Sequence, residues 1–389
     1  MDIGQMPPRS SEHKPAKADW RPDGCKHIAL VLQGGGALGA YQGGVYQALH
    51  EAGLEPDWVA GVSIGGINAA IIAGNPPERR LERLRAFWDL ITSRPIDFGP
   101  VDGDHARKTR ISWSASLTMA LGQPGFFSTY VPGPWFSPRG GKQSTSFYDN
   151  KPLRETLLGL VDFDLINSGK TRFAVGAVNV ANGNFSYFDN ADAEIIPEHV
   201  MASGALPPAL PMMQIGTDWY WDGGLVSNTP LQHLIDNIGD NNALVFQVDL
   251  FSARGPIPRD MYDVLARQKD IQYSSRTRLT TDRYMELFKL NKQLHRLLAK
   301  IPEQDLTDEE RKLKYRLDRL PRLTLLHLIY QQAAYEGDAK DYEFSRTSMR
   351  DHWDSGYRDT KRTLRHRDWL QLPSEGSGIV MHDIHRADE

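Results

Sequence analysis

The sequence predicts a three-layer α/β fold, in which a mostly parallel sheet lies between layers of helices. Two short apolar runs, His27–Leu32 and Trp58–Val62, are typical of buried strands. Each is followed by apolar residues at helical spacing, over residues 37–53 and then 64–74, with glycine near each helix end. Strands that alternate with helices in this way usually form a parallel sheet joined by crossover helices.

Further elements of both types follow to residue 250. Residues 78–92 place their apolar side chains on one face of a helix, and Asn182-Gly183 between two alternating runs predicts a β-hairpin over residues 171–190. A strand end, a turn and a helix are predicted over residues 218–237, and a buried strand over residues 243–251. Residues 99–147, rich in glycine, proline and aromatic residues, indicate a long loop.

The chain divides into three parts by composition. Residues 1–26 carry proline and charged residues without an apolar segment, and we expect a disordered tail there. Residues 27–250 form the α/β domain. Residues 251–389 are predicted to be a mostly helical extension packed on this domain, with one further strand at residues 323–330 and a charged helix at residues 345–367.

Composition excludes several classes of protein. The 389 residues carry a net charge of −4, with no basic excess of the kind that nucleic-acid binding requires. No stretch approaches the roughly 18 apolar residues of a membrane-spanning helix. A single cysteine, Cys25, allows no intrachain disulfide, and this favours a reducing, cytoplasmic location. Neither a zinc-like Cys/His spacing nor a P-loop is present, so we expect no metal and no cofactor.

A glycine-rich turn follows the first strand. Gly34, Gly36 and Gly39 have the spacing G-x-G-x-x-G, which occurs in dinucleotide-binding folds. Those folds also need an acidic residue at the end of the second strand, whereas Asp57 precedes that strand. The backbone N–H groups of Gly34, Gly35 and Gly36 are therefore interpreted as an oxyanion hole rather than as a pyrophosphate cradle.

The second strand ends in the motif G-x-S-x-G, formed by Gly61, Ser63 and Gly65. In a nucleophile elbow, a serine on a tight strand-to-helix turn is lifted clear of the sheet. The carboxyl ends of parallel strands share one edge of a sheet, so the glycine turn and Ser63 are expected to lie together. This arrangement favours acyl transfer through a serine nucleophile.

A proton acceptor for that serine is also predicted. Asp222 ends a strand and is followed by Gly223 and Gly224, so its carboxylate can reach the same edge if burial raises its pKa. A histidine would make a triad instead, and His199, His233 and His327 are the candidates. His233 lies in the helical pattern after DGG and His327 in an apolar strand, and isolated histidines of this kind are more often structural.

The motifs GGGALG, GVSIG and DGG occur in the order found in patatin-like phospholipases, and the chain resembles this family over about residues 27–250. The resemblance implies a Ser63–Asp222 dyad, an oxyanion hole at Gly34–Gly36, and cleavage of acyl esters of lipids. Many members carry arginine or lysine where this chain has Leu38, which leaves the headgroup preference open. The extension at residues 251–389 resembles an uncharacterised one on some bacterial members.

The expected function is that of a serine lipid acyl hydrolase, with a lipid or acyl ester as its substrate. An acyltransferase with the same dyad and a non-catalytic lipid-binding protein are the alternatives. The aromatic residues of 113–136 are interpreted either as local packing or as a lid or acyl-chain groove. Residues 267–300 carry nine basic and three acidic residues with a leucine repeat, which favours either a solvated helix or peripheral contact with an anionic membrane. The oligomeric state is left open.

Overall fold

The computed structural model describes residues 21–93, 103–275, 277–332, 336–337, 339–374 and 378–385. The predicted tail at residues 1–20 lies outside this part of the chain. Residues 21–26, assigned to the same tail, contact the domain, because Arg21 Nη1 lies 2.5 Å from Asp57 Oδ2 and the Lys26 N–H donates to the carbonyl of Asn242 at 2.9 Å.

The strands of the described chain are β1 (His27–Leu32), β2 (Trp58–Val62), β3 (Ser128–Thr129), β4 (Tyr148–Asp149), β5 (Arg172–Asn179), β6 (Phe185–Asp189), β7 (Met213–Ile215), β8 (Asp218–Asp222), β9 (Ala243–Asp249), β10 (Leu323–Ile329) and β11 (Ile379–Asp383). Its α-helices are α1 (Ala40–Glu51), α2 (Ile64–Ala73), α3 (Pro77–Ile91), α4 (Asp104–Leu121), α5 (Lys151–Leu160), α6 (Phe163–Asn167), α7 (Pro197–Ser203), α8 (Leu231–Asn237), α9 (Met261–Tyr273), α10 (Thr277–Leu298), α11 (Asp308–Leu317) and α12 (Arg346–Thr363).

A single mixed sheet forms the centre of the fold, in the order β11-β10-β9-β1-β2-β5-β8-β7, with β6 paired to β5. The strands from β11 to β5 pair in parallel, whereas β6, β7 and β8 are antiparallel to their partners. The larger core packs α1, α2 and α12 on one face, and a second core packs α8 on the other. The predicted fold class and the order of its first elements are therefore confirmed.

The extension at residues 251–389 contains the strand predicted at residues 323–330, which is β10, and a further strand, β11, that was not predicted. It contributes β10 and β11, which continue the parallel sheet beyond β9. It also contributes α12, whose Trp353 is buried in the same core as Leu30 and Phe246 of the sheet. The sheet therefore runs without a break across residue 250, where sequence composition placed a boundary.

Helix α4 corrects the prediction of one long loop over residues 99–147. Ile111, Ala115 and Thr118 lie on the same face of this helix and are almost fully buried. The segment is rich in serine and threonine, so its composition concealed the helical spacing. No helix in the described ranges is long and apolar enough to cross a membrane.

Helices α1 and α12 approach so closely that only glycine fits between them. A Cβ atom on Gly44 would lie 1.8 Å from the carbonyl oxygen of Trp353, and one on Gly356 would lie 2.0 Å from that of Tyr41. These two glycines therefore fix the extension against the first helix of the domain.

We expect Gly44→Ala to lower the free energy of unfolding by about 1–3 kcal/mol, because the added methyl group overpacks the helix contact. Gly159 in α5 is the matched control, since no atom lies within 4 Å of the Cβ position there. Gly159→Ala should raise stability by about 0.5–1 kcal/mol through helix propensity alone. Urea unfolding of both variants measures the difference, and equal stabilities would contradict the close contact.

Candidate active site

Ser63 occupies the sharp turn between β2 and α2. Its φ of 55° and ψ of −127° make it the one residue other than glycine with a positive φ in the described chain. Such a backbone costs about 1–3 kcal/mol and persists only when its surroundings hold it. The Ser63 N–H donates to the hydroxyl and the carbonyl of Ser203, at 3.0 and 3.1 Å, and these bonds fix the turn.

Gly61 and Gly65 allow this turn to pack against the neighbouring strand. A Cβ atom on Gly65 would lie 2.4 Å from the carbonyl oxygen of Leu32 in β1. A Cβ atom on Gly61 would lie 2.2 Å from the carbonyl oxygen of Gly65. Both glycines of the G-x-S-x-G motif are therefore required by close backbone contact.

Strand register brings Asp222 beside Ser63. Val62 pairs with Gly176 of β5, and the next residue of β5, Ala177, pairs with Asp222 of β8. Strand β5 thus extends past the end of β2 and pairs there with β8. Asp222, at the end of β8, therefore lies beside the turn that carries Ser63. The Asp222 side chain is buried, with 2% of its surface exposed.

The burial of Asp222 raises its pKa to about 7. Hydrogen bonds from the Ser63 hydroxyl and from the Gly224 N–H act in the opposite direction but are outweighed. The Gly224 nitrogen lies 2.7 Å from Asp222 Oδ1. A carboxyl group with a pKa near neutrality is suited to accept and release a proton at physiological pH.

The glycine turn lies against the serine. Leu32 pairs with Gly61, so Gly34 follows alongside Ser63, and a Cβ atom on Gly34 would lie 3.0 Å from Ser63 Cβ. The Gly34 N–H donates to the carbonyl of Asn228 at 3.2 Å, so this group is already used. The N–H groups of Gly35 and Gly36 donate to no acceptor in the described part of the chain. The oxyanion hole at Gly34–Gly36 stays a prediction.

The remaining motif glycines serve packing. A Cβ atom on Gly39 would lie 2.6 Å from Ile64 Cγ1, and one on Gly223 would lie 2.5 Å from the carbonyl oxygen of Gly176. Gly39 thus lets the turn rest on the start of α2, and Gly223 lets the chain after Asp222 rest on β5.

A cavity of about 100 Å³ opens onto Ser63, Asp222 and the glycine turn. Its other walls are mostly apolar and include Phe126, Phe127, Leu206, Leu210, Tyr273 and Tyr342. The aromatic residues of 113–136 have two kinds of surroundings. Phe126 and Phe127 line this cavity. Others are exposed to solvent, namely Trp113, Trp135 and Phe136.

The three candidate histidines lie elsewhere and do not line this cavity. His233 Nε2 is 2.8 Å from Asp189 Oδ2, and His327 Nε2 is 2.6 Å from Asp249 Oδ2. His199 Nδ1 accepts from the N–H of Ile196 at 3.0 Å. The described residues also contain no group of three metal-ligating side chains arranged to hold an ion.

Residues 30–235, more than half of the chain, match the family model described as patatin-like phospholipase. The chain belongs to the patatin-like phospholipase family. A second family model, described as patatin phospholipase, matches residues 271–376 within the extension. This membership supports a lipid hydrolase and confirms the family resemblance of the sequence motifs.

Relatives within the patatin-like phospholipase family match over short stretches. Lysophospholipase nte1 of Aspergillus terreus is 50% identical over 48 residues, which are 12% of this chain and 3% of that protein. Patatin-like phospholipase domain-containing protein 6 of Mus musculus is 44% identical over 61 residues, 16% of this chain and 4% of that protein. This chain therefore spans a small fraction of both curated relatives. Among solved structures, VipD from Legionella pneumophila aligns with a TM-score of 0.38 and 15% identity, covering 92% of this chain and 71% of that one.

Two positioning residues of this patatin-like site were not predicted from the sequence. Asn228 Nδ2 donates to the carbonyls of Gly34 and Tyr273, at 3.0 and 2.9 Å, and so ties the glycine turn to the end of α9. Ser203 holds the Ser63 N–H. Neither Ser203 nor Asn228 belongs to the three motifs GGGALG, GVSIG and DGG, and no spacing rule singles them out.

A buried polar network supports the glycine turn from below. Asn68 Nδ2 donates to the carbonyl of Gly39 at 3.0 Å and to Gln42 Oε1 at 2.9 Å, and Trp88 Nε1 donates to Asn68 Oδ1 at 3.1 Å. Gln42 Nε2 in turn donates to the carbonyl of Gln33 at 2.7 Å. Helices α1, α2 and α3 thereby fix both ends of the turn.

The raised pKa of Asp222 predicts a pH-dependent cost of folding. Between the unfolded value near 4 and the folded value of about 7, the unfolded chain ionises first, so stability falls as pH rises through this window. Asp222→Asn removes this cost. The free energy of unfolding of the variant, relative to that of the wild type, should increase by a few kcal/mol as the pH rises from 4 to 8. Urea unfolding across this pH range measures the difference.

Asp189 is the matched control, because it is equally buried but its pKa is lowered. Burial alone would raise that pKa, but hydrogen bonds from His233 and Arg172 outweigh it. Asp189→Asn should therefore lose stability relative to the wild type as pH rises. A constant difference between Asp222→Asn and the wild type at every pH would contradict the raised pKa.

Proposed function

We propose that this protein is a serine lipid acyl hydrolase in which Ser63 is the nucleophile and Asp222 its proton acceptor. One observation carries the proposal. A serine in a strained turn, a buried carboxyl group of raised pKa and two unpaired backbone N–H groups border one largely apolar cavity. Acyl transfer needs a nucleophile, a base and an oxyanion stabiliser in this arrangement.

In the first step, Ser63 Oγ attacks the ester carbonyl carbon while Asp222 takes the hydroxyl proton. The Gly35 and Gly36 N–H groups donate to the oxygen that becomes negative, and preorganised donors of this kind are typically worth about 10²–10³ in rate each. Asp222 then gives its proton to the leaving alcohol, and an acyl-Ser63 ester remains. Water then attacks the acyl carbon while Asp222 takes one of its protons. As the bond from that carbon to Ser63 Oγ breaks, Asp222 returns the proton to Oγ and the fatty acid leaves.

The apolar wall of the cavity suits an acyl chain better than a headgroup. Leu38, which replaces the basic residue of many family members, is fully buried in the core and offers no charge to the cavity. We therefore expect the site to select substrates by their acyl chain rather than by an anionic headgroup bound beside the glycine turn.

Ser63→Ala and Asp222→Asn should each lower kcat/KM for p-nitrophenyl butyrate by at least about 10³-fold. Each substitution removes a group that acts in the reaction but changes little of the side chain's size. Folding, followed by circular dichroism, should therefore be preserved. Ser116→Ala, an exposed serine on α4, is the matched control and should keep full activity. Near wild-type turnover in Ser63→Ala, or inactivation by His233→Ala or His327→Ala with the fold intact, would overturn the dyad.

Two other functions are separated by direct tests. An acyltransferase would use the same dyad and pass the acyl group to an alcohol or thiol, so product analysis with and without a lipid acceptor distinguishes it. A non-catalytic lipid-binding protein would not react with a serine-directed fluorophosphonate. The raised pKa of Asp222 beside Ser63 favours a reactive serine over that alternative.

We further propose a peripheral contact with anionic membrane through residues 267–300, which carry a net charge of +6. On α10, Leu287, Leu290 and Leu297 expose 50%, 59% and 59% of their surface, while Leu294 packs with buried neighbours. Lys289 on the same helix is exposed. Exposed apolar and basic side chains together favour an anionic lipid surface.

The protein should co-sediment with vesicles containing phosphatidylglycerol more strongly than with phosphatidylcholine alone, and high salt should weaken this binding. Lys289→Glu should reduce the binding roughly tenfold, since each basic residue near the surface contributes about 1 kcal/mol. Lys312→Glu on α11, also exposed, is the matched control. Equal binding to both vesicle types would argue against an electrostatic contact.

A further inference from the structure

The extension supplies one wall of the catalytic cavity. Tyr273, Asp341, Tyr342 and Phe344 line the cavity together with Ser63. All four lie beyond residue 250, and all four fall within the range matched by the second family model. The extension is therefore part of the site and not only a neighbour of it.

The wall segment, residues 340–344, rests directly on the glycine turn. A Cβ atom on Gly36 would lie 2.2 Å from the carbonyl oxygen of Asp341, and the φ of 54° at Gly36 also favours glycine there. At its other end, Phe344 packs against Phe126 with ring centroids 5.9 Å apart. The wall segment thus joins the two sides of the cavity.

A pair of reciprocal ion pairs holds the wall segment to α9. Lys269 Nζ lies 2.8 Å from Asp341 Oδ1, and Lys340 Nζ lies 2.6 Å from Asp270 Oδ1. Each partner is a Lys-Asp dipeptide, and the lysine of one meets the aspartate of the other. The exposed fraction of the side chain is 2% for Lys340, 12% for Asp270 and for Asp341, and 29% for Lys269. This clamp of four residues is therefore shielded from solvent except at Lys269.

A second anchor precedes the wall segment. Glu336 is buried and accepts from the hydroxyl of Tyr330 at 2.7 Å, and its Oε1 lies 2.6 Å from His352 Nε2. Ser345 then caps α12 by accepting from the N–H of Ser348 at 3.3 Å. Contacts before and after the wall segment, together with the clamp to α9, therefore fix its position.

We propose that the wall segment sets the length of acyl chain that the site accepts, with Tyr342 as its specificity-determining residue. The cavity of about 100 Å³ is well below the roughly 300–1,000 Å³ of common small-molecule sites. A cavity of this volume favours short acyl chains. This inference rests on the proposed hydrolase activity.

The first test compares p-nitrophenyl butyrate, octanoate and dodecanoate as substrates of the full chain. Tyr342→Ala should raise the ratio of kcat/KM for octanoate over butyrate by at least about tenfold, because extra methylene groups gain apolar contact in the enlarged cavity. Tyr315→Ala, an exposed tyrosine on α11, is the matched control and should leave the ratio unchanged. Tyr273→Ala, on the same wall, replaces Tyr342→Ala if that variant does not fold.

The clamp is tested by charge exchange. Asp341→Lys places two lysines together and should loosen the wall, which raises the octanoate-to-butyrate ratio. The double variant Lys269→Glu/Asp341→Lys restores an opposite pair and should return the ratio toward the wild-type value. An octanoate-to-butyrate ratio that Asp341→Lys leaves unchanged, or that the double variant does not return toward the wild-type value, would contradict a clamp.

A binding measurement separates this inference from the hydrolase proposal. In a Ser63→Ala background, calorimetry with butanoic, octanoic and dodecanoic acids reports the same cavity without turnover. If Tyr342→Ala allows longer fatty acids to bind, the result supports the role of the wall segment in limiting acyl-chain length. This holds even if the wild type hydrolyses no ester, and only the hydrolase proposal then fails. An unchanged limit in both binding and turnover overturns the wall while leaving hydrolysis intact.

Discussion

The close backbone contact between the serine turn and the end of β1 is the constraint on which the site depends. Because Gly65 has no side chain, the start of α2 lies directly on the carbonyl of Leu32. That contact fixes the distance between the first two strand ends, so the glycine turn after β1 follows alongside Ser63. Asp222 lies at the same point only because β5 continues past the end of β2 and pairs there with β8.

The site is assembled at a cost that the rest of the fold must offset. A strained serine backbone costs about 1–3 kcal/mol, and a buried carboxyl group adds to this at neutral pH. The compensating interactions lie just outside the site. Ser203 holds the serine backbone, the Asn68 network holds the glycine turn, and the large core beneath them buries Leu30, Phe246 and Trp353.

Sequence patterns predicted the elements that carry their own local signal. The bounds of β1 and β2, the hairpin of β5 and β6, and the position of Ser63 between strand and helix all follow from apolar runs and glycine spacing. Helix α4 was missed because serine and threonine conceal its buried face. The contacts of Asn228 and the pairing of Lys269 with Asp341 join residues far apart in sequence, and no local spacing reports them.

The reciprocal clamp also has an electrostatic consequence for its neighbour. Each Lys-Asp dipeptide is neutral as a whole, so the clamp brings Asp341 to the cavity wall together with nearby counter-charges and adds no net charge. A lone lysine at that position would stabilise the ionised carboxylate of Asp222 and lower its pKa. The extension can therefore hold the wall by charge while the affinity of Asp222 for its proton is still decided by burial.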